Sequence, residues 1–398
     1  MDKKILAATS VGHALCHISM LTLPAVLLPV SQDYGLSLTR VTGIGTIAYL
    51  LFGLGALPAG LLAGITSAKL VLILFFVGTA ASALVVALAP TFTVFVIGMA
   101  LLGLASSIYH VAGPTLISHF SGKTGRSYGV HGVAGSAGIT LAPLIAGVLA
   151  SVLDWRVAYV ALLVPALYGA ALLVFDREIP YAHAEGNRHS GEQTQGGNAR
   201  WMTFVLLLLV MTVNGFVYRA FLTMFPTYLS QSIPIGEISP VLSGGVLASL
   251  ILAFGMVGQY AGGLVADRMD RFRLYTILIV ISIPLLVLVG MTRQWMLLGV
   301  AIVFSLFYFP LQPVENSILG TYVPPRLVSS IFGMKFILTF GVGSAGAVFS
   351  GYVAESMGTA AVYMILAPVT LLAVALALAA MRARARAGLA ARDAAEPA

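Results

Sequence analysis

Charge is what this chain has least of. Only 9% of its 398 residues are Asp, Glu, Lys or Arg, against 59% hydrophobic, too few to solvate a soluble protein of this length. The solvent that suits such a chain is lipid. Cysteine is nearly absent as well: Cys16 stands alone, so no intramolecular disulfide can form and the redox compartment cannot be inferred from it. Neither a phosphate-binding Gly-x-x-x-x-Gly-Lys-Ser/Thr loop nor a metalloprotease His-Glu-x-x-His pair occurs, so neither nucleotide-driven pumping nor that hydrolysis has support. The chain is not expected to be an enzyme, and no cofactor is implied.

What is abundant is uninterrupted apolar sequence. A bilayer core of roughly 30 Å takes about 20 apolar residues as a helix, and stretches of that length recur along nearly the whole chain. Barrel strands would alternate apolar and polar residues, whereas 70–88 is apolar on every face. Helices are therefore expected at 5–30, 40–64, 69–89, 92–117, 126–151 and 155–175, and again at 201–229, 239–265, 273–291, 294–318, 325–353 and 358–380. The fold class is an all-α membrane protein of twelve transmembrane helices in two six-helix bundles. Its divisions are 1–175, a polar linker at 176–200 too poor in apolar residues to fold alone, 201–380, and a basic tail at 381–398. The first span exceeds a signal-peptide apolar segment and lacks a small-residue cleavage pattern, so it is expected to be retained.

The net charge of +7 would suit an anionic partner such as nucleic acid, but the cations sort by side instead. With both termini cytoplasmic, Lys3, Lys4, Lys69, Lys123, Arg126, Arg177, Arg188, Arg200, Arg268, Arg271, Arg273, Arg326, Arg382, Arg384, Arg386 and Arg392 all fall on that side or at its edge. Only Arg40, Arg156 and Arg293 fall on the other. That asymmetry is the positive-inside rule and, with an even number of spans, sets both ends inside. The partner it implies is the bilayer, not nucleic acid.

The two halves echo one another. Phe52, Gly53 and then Gly60, Leu61, Leu62, Ala63 return as Phe254, Gly255 and then Gly263, Leu264, Val265, Ala266; Gly135, Ser136, Ala137, Gly138 return as Gly343, Ser344, Ala345, Gly346. Small residues at these spacings let helices approach closely. The run Gly263, Leu264, Val265, Ala266, Asp267, Arg268, Met269, Asp270, Arg271 resembles the signature of the major facilitator superfamily. That resemblance implies gating roles for Asp267, Arg268 and Arg271 and alternating access by two rocking bundles. In the first-half copy Gly64 and Ile65 stand where the acid and the arginine would be, so that latch lacks its charges. A narrower stretch, Ser106, Ser107, Ile108, Tyr109, His110, then Ser121, Gly122, Gly125, Arg126, then Gly135, Leu141, Ala142, Pro143, Leu144, is similar to the fosmidomycin-resistance branch of bacterial efflux proteins.

Of fourteen acidic residues only Glu315 lies well within a span, joined there by the cations Arg219 and Lys335. Such a charge costs about 2.5–3.5 kcal/mol even on a lenient insertion scale. Two readings stay open: Glu315 pairs with one cation and pins helices together, or it loads and unloads a proton while Arg219 and Lys335 attract an anionic or zwitterionic cargo. The superfamily resemblance implies that all three face one aqueous path. In the first half the polar groups are His13 and His17, one turn apart, with His110 in span four; His110 is assigned with Glu315 to proton coupling. His131 and His119 lie nearer the cytoplasmic edge, where a structural role is expected. Tyr109, Asn214, Tyr218, Gln312 and Asn316 join His13, His17, Arg219 and Lys335 as candidate substrate contacts, with Tyr49, Gln259 and Tyr260 as further ones. Phe304, Phe307, Tyr308 and Phe309 are spread around span ten, so that one or two reach the cavity. Cys16 and Met20 beside His13 and His17 suggest a soft-metal site, but Cys16 is turned about 100° from His17, and the stripe reads as cavity lining with no metal assigned. Kinks are expected at Pro24, Pro58, Pro143, Pro226 and Pro310.

Together these observations point to a monomeric, proton-coupled secondary transporter of the bacterial inner membrane that exports a small amphiphilic or anionic compound. The alternatives are proton-coupled uptake of an organic anion, a transition-metal permease, and a non-transporting sensor or assembly factor, which the incomplete first-half latch favours.

Overall fold

The computed structural model describes residues 2–120, 124–176, 198–322 and 328–393, and among them there are helices and connecting turns but no strand. Twelve helices are long and apolar enough to cross a bilayer: α1 (Lys3–Ala25), α2 (Leu38–Ala63), α3 (Ala68–Ala87), α4 (Phe92–Ile117), α5 (Gly129–Val152), α6 (Trp155–Val174), α7 (Trp201–Ser232), α8 (Pro240–Ala266), α9 (Arg271–Met291), α10 (Gln294–Leu319), α11 (Gly333–Met357) and α12 (Thr359–Arg386). Five of their starts are set by short polar side chains. Ser37, Ser67, Thr91, Ser239 and Asp270 each accept a hydrogen bond from the backbone N–H three residues on, satisfying a donor that the first turn leaves free. The linker residues 177–197, the expected beginning of span eleven at 325 and the last tail residues 394–398 lie outside the described residues.

Four spans depart from regular helix: α6 turns at Ala161 and Leu162, and the other three break beside a polar residue. α4 is interrupted at Ile108, just before Tyr109 and His110. Its counterpart α10 is interrupted after Tyr308, and helix resumes at Leu311 just before Gln312, Glu315 and Asn316. In α11 a π-helical turn at Ile337–Gly341 and a 3-10 turn at Val342–Ser344 follow directly on Lys335. Of the expected proline kinks, Pro310 coincides with a break and Pro24 precedes one at Val26, while the helices holding Pro58, Pro143 and Pro226 run on through them.

The two halves meet along two seams, α2 against α11 and α5 against α8. On the side away from the termini both are tight. Thr39 donates from its backbone and its hydroxyl to Glu355, and Thr46 bridges Ser344 and Val348 of α11. A Cβ on Gly147 would meet the Val241 carbonyl at 2.8 Å and the Gly245 backbone at 3.3 Å, so glycine is what lets α5 and α8 touch here. Among the described residues their last polar tie toward the terminus side is Ser136 donating to Gln259 at 2.7 Å; beyond it a Cβ on Gly129, Gly132 or Gly263 would meet nothing within 4 Å. The chamber between the halves is thus shut at the far side.

At the terminus side each half carries its own ionic tie. Lys4 pairs with Asp176 at 2.9 Å and Lys69 donates to the Asp176 carbonyl at 2.7 Å, so an acid just after α6 provides the charge that Gly64 lacks. In the second half Arg384 pairs with Asp270 at 2.7 Å.

Candidate functional site

Helical spacing brings three spans to one point. Asn214, Tyr218 and Arg219 lie on one turn and a half of α7; Gln312, Glu315 and Asn316 fall at i, i+3 and i+4 on α10; Lys335 and Thr339 are one turn apart on α11. All eight line a single cavity, completed by apolar and aromatic residues such as Met211, Phe309, Phe336 and Phe340. The space open to water centres there is about 90 Å³, room for at least half a dozen waters or one small organic molecule.

Within it the charges are arranged unequally. Lys335 Nζ pairs with Glu315 Oε1 at 2.6 Å and also donates to Asn316. The other carboxylate oxygen accepts from the Tyr275 hydroxyl at 2.9 Å, and that hydroxyl accepts from Asn214 Nδ2 at 2.9 Å. Both ionic side chains are at most 10% exposed, so the pair is held in low dielectric beside the cavity. Arg219 has no carboxylate within ion-pair distance among the described residues. Its guanidinium lies over the Tyr49 ring, 3.1 Å from the centroid, and its Nη1 is buried without a hydrogen-bond partner. Asn214 Oδ1 is buried and unpartnered too. Lys335 and Arg219 against Glu315 leave one net positive charge, and two residues that line the cavity each carry a buried polar atom without a partner.

A narrower cavity runs from Arg219, Tyr218 and Gln312 to His17, Met20 and Tyr49 in the first half. There His13 Nε2 lies 3.2 Å from His17 Nε2, and His13 Nδ1 lies 2.8 Å from the His131 carbonyl. The His110 ring is 5.4 Å from His13 and 5.5 Å from His17, and its Nε2 is buried with no partner. Phe336 of α11 stacks on His110 at 5.2 Å, closing the gap to the Lys335 helix.

Several residues sit elsewhere than the sequence suggests. Tyr109 is fully buried, its hydroxyl donating to the Thr9 carbonyl and 3.2 Å from His131, so it reaches neither cavity. His131, expected nearer the edge, stacks on His13 at 4.2 Å, because the helix that carries α5 already begins at Thr124, two turns before it. His119 lies outside the described side chains. Cys16 points away from the histidines toward the Ser106 carbonyl at 3.6 Å. Tyr260 is 74% exposed and faces outward, whereas Gln259 lines the larger cavity. Of the four span-ten aromatics, Tyr308 and Phe309 reach the cavity, Phe304 is core and Phe307 faces out. Asp267 and Arg268 are exposed, Arg271 is half-buried, and among the described residues the ionic contact of that stretch is made by Asp270. Tyr275 and the π turn in α11 are features of the site that the sequence did not single out.

Comparison with known proteins agrees with this architecture. Residues 9–347 match the Major Facilitator Superfamily. An MFS-type transporter of Bacillus subtilis strain 168, YfnC, is 22% identical over 363 residues, 89% of this chain and 87% of the relative. Among solved structures, a POT family transporter in complex with a thioalcohol-conjugated peptide superposes with a TM-score of 0.78 at 11% identity, over 94% of each chain. The human organic anion transporter MFSD10 superposes with a TM-score of 0.69 at 17% identity, over 94% of this chain and 99% of its own. At these identities the structural likenesses speak to fold.

Proposed function

The chain belongs to the Major Facilitator Superfamily, and from that premise we propose that it is a proton-coupled secondary transporter of a small organic anion, working by alternating access to the chamber between α7, α10 and α11. A secondary transporter in the membrane is what the family gives; coupling, cargo and direction are the proposal. The observation that carries it is the buried Glu315–Lys335 pair, 2.6 Å long, in the same cavity as the acid-free Arg219.

The chemistry follows from competition. Lys335 is neutralised while Glu315 is ionised. A proton on Glu315 releases Lys335, which with Arg219 then offers two cations to a carboxylate or phosphonate, Asn214 and Gln312 supplying hydrogen bonds. Anion and proton therefore load together, and after the halves rock, loss of the proton restores the pair and expels the anion. Glu315 is the proton carrier, with Tyr275 positioning its carboxylate. With both termini in the cytoplasm of a bacterial inner membrane, as the placement of basic residues supports, an inward proton gradient drives uptake. The protein acts as a monomer, each half of six spans moving as a unit.

Export by exchange for protons is the second reading. It is favoured by the aromatic wall of Phe309, Phe336 and Phe340, which suits an amphiphilic cargo, and by the resemblance of the Tyr109, His110 stretch to the fosmidomycin-resistance branch. In that case His110 shares the proton-handling role.

Flux in proteoliposomes under an imposed pH gradient tests both. Anion accumulation down the proton gradient supports co-transport, movement against it supports exchange, and no flux across a broad anion and drug panel refutes the transporter reading. In Glu315→Gln, anion exchange without net proton-driven accumulation is expected; unchanged gradient dependence would remove Glu315 from the mechanism.

A further inference from the structure

The histidines of the first half have a geometry that proton coupling through Glu315 does not use. We propose that His13, His17 and His110 bind a divalent transition-metal ion of the zinc and cobalt class, with one coordination position left open to an anionic group on the Arg219 side.

Zinc–nitrogen bonds of about 2.0–2.1 Å in a tetrahedron place two ligating nitrogens about 3.3 Å apart; His13 Nε2 and His17 Nε2 stand at 3.2 Å. One ligand atom from each of the three imidazoles lies within 4.8 Å of the others, so closure around an ion requires side-chain movement of only about 1.5 Å. His110 Nε2 is buried with no hydrogen-bond partner, the state of a ligand atom awaiting its ion. The fourth observation fixes a tautomer. His13 Nδ1 is 2.8 Å from the His131 carbonyl, which accepts only, so the proton is on Nδ1 and the lone pair is on Nε2, facing His17. A backbone carbonyl behind the ring is the usual outer partner of a metal-binding histidine. An all-imidazole set suits zinc, cobalt, nickel or copper(II), and Cys16, turned toward Ser106, is not part of it.

Arg219 determines the form in which the ion arrives. Its guanidinium lines the same narrow cavity as His17 and has no acid partner among the described residues. A bare dication beside it is held less tightly than one whose charge an anion offsets. A metal ion carrying a carboxylate or phosphonate satisfies both: imidazoles on the metal, guanidinium on the anion. This refines the cargo of the proposed transporter to a metal–organic anion complex, yet stands on the imidazole geometry.

The test is cobalt(II) titration of the purified, metal-stripped full-length protein in detergent, read by visible ligand-field absorption. One saturable site per chain is expected. His110→Asn and His17→Gln should each weaken it by more than the roughly 10–100-fold lost with an outer partner, while Cys16→Ser leaves it unchanged. Monodisperse elution and helical circular dichroism establish that each variant is folded. Acetate should shift the spectrum of the wild type but not of Arg219→Gln. Absence of binding to folded wild type, or binding that survives in both folded histidine variants, overturns the site; a wild-type spectrum insensitive to acetate overturns the open position. Either failure leaves proton-driven flux of metal-free anions as a separate measurement.

Discussion

Replacing Lys335 by methionine keeps an unbranched side chain one atom shorter and removes its charge, leaving Glu315 ionised and unpaired in a site where both side chains are at most 10% exposed. Breaking a buried pair from one side costs about 3–5 kcal/mol. Two features place the value near the lower end: the Tyr275 hydroxyl still donates to Oε2 at 2.9 Å, and the adjoining cavity admits water to the bared carboxylate. The expected loss is about 3 kcal/mol, and most of it is the penalty on Glu315 rather than the worth of the pair. The double variant Glu315→Gln, Lys335→Met should therefore regain most of the loss, giving a coupling of at least about 2 kcal/mol in a double-mutant cycle. Unfolding in mixed micelles measures this, with thermal inactivation as a second readout. Acidification should partly rescue Lys335→Met, because a proton on Glu315 removes the unpaired charge, and should do nothing for the double variant. Single-variant costs that simply add, with coupling under about 0.5 kcal/mol, would mean that the two groups do not share a proton-sensitive bond, and the competition scheme would fail with it.

Arg219→Gln should raise the KM for the transported anion about 30-fold or more, from roughly 2 kcal/mol of lost charge pairing, with little change in the maximal rate; an unchanged KM would place the anion elsewhere. Gly147→Leu puts a side chain into the Val241 carbonyl and the Gly245 backbone, so the far-side seam should no longer close: the chain assembles, transport stops, and a cysteine placed at Thr39 becomes reactive to impermeant thiol reagents. Wild-type flux in that variant would show that the seam is not a gate. Asp270 lies between α8 and α9, outside the spans; burial tends to raise its carboxyl pKa, but the Arg273 backbone N–H and the Arg384 guanidinium outweigh it and hold it below the ordinary 3.8. A lowered folded value means stabilisation that is complete above the ordinary value and lost as pH falls through the lowered one. The pair is one-third to two-fifths exposed and screened, so no more than about 0.5 kcal/mol is at stake; Asp270→Asn should cost that much at neutral pH and nothing in strong acid.

The twelve spans were legible because each must present an apolar surface to lipid over a fixed length, a demand written directly into composition. Small-residue repeats likewise marked the seams, since Ser136 and Ser344 do lie where α5 meets α8 and α11 meets α2. Which cation takes Glu315 was not legible: Arg219 and Lys335 are equivalent as residue types, and only the break in α10 and the path of α11 set Lys335 at 2.6 Å. Tyr275 carries no signal of its own in the sequence: one tyrosine near the end of an apolar span reads equally well as an interfacial anchor, yet its hydroxyl turns inward to Glu315. The depth of His131 was not legible, because its distance to the loop ignores that the helix carrying it already begins at Thr124.

The wide turn at Ile337–Gly341 holds one peptide unit more than regular winding would use. Rewinding it would rotate one part of α11 against the other by about 100°. On one side of that joint is the ammonium of Lys335; on the other, Gly343 lies against the backbone of Gly215 on α7, with Gly341 itself against Gly53 of α2. A twist at the joint would swing the ammonium relative to the glycine bearings, so a single loose coil of backbone links the ion pair to the contacts on which the bundles lean.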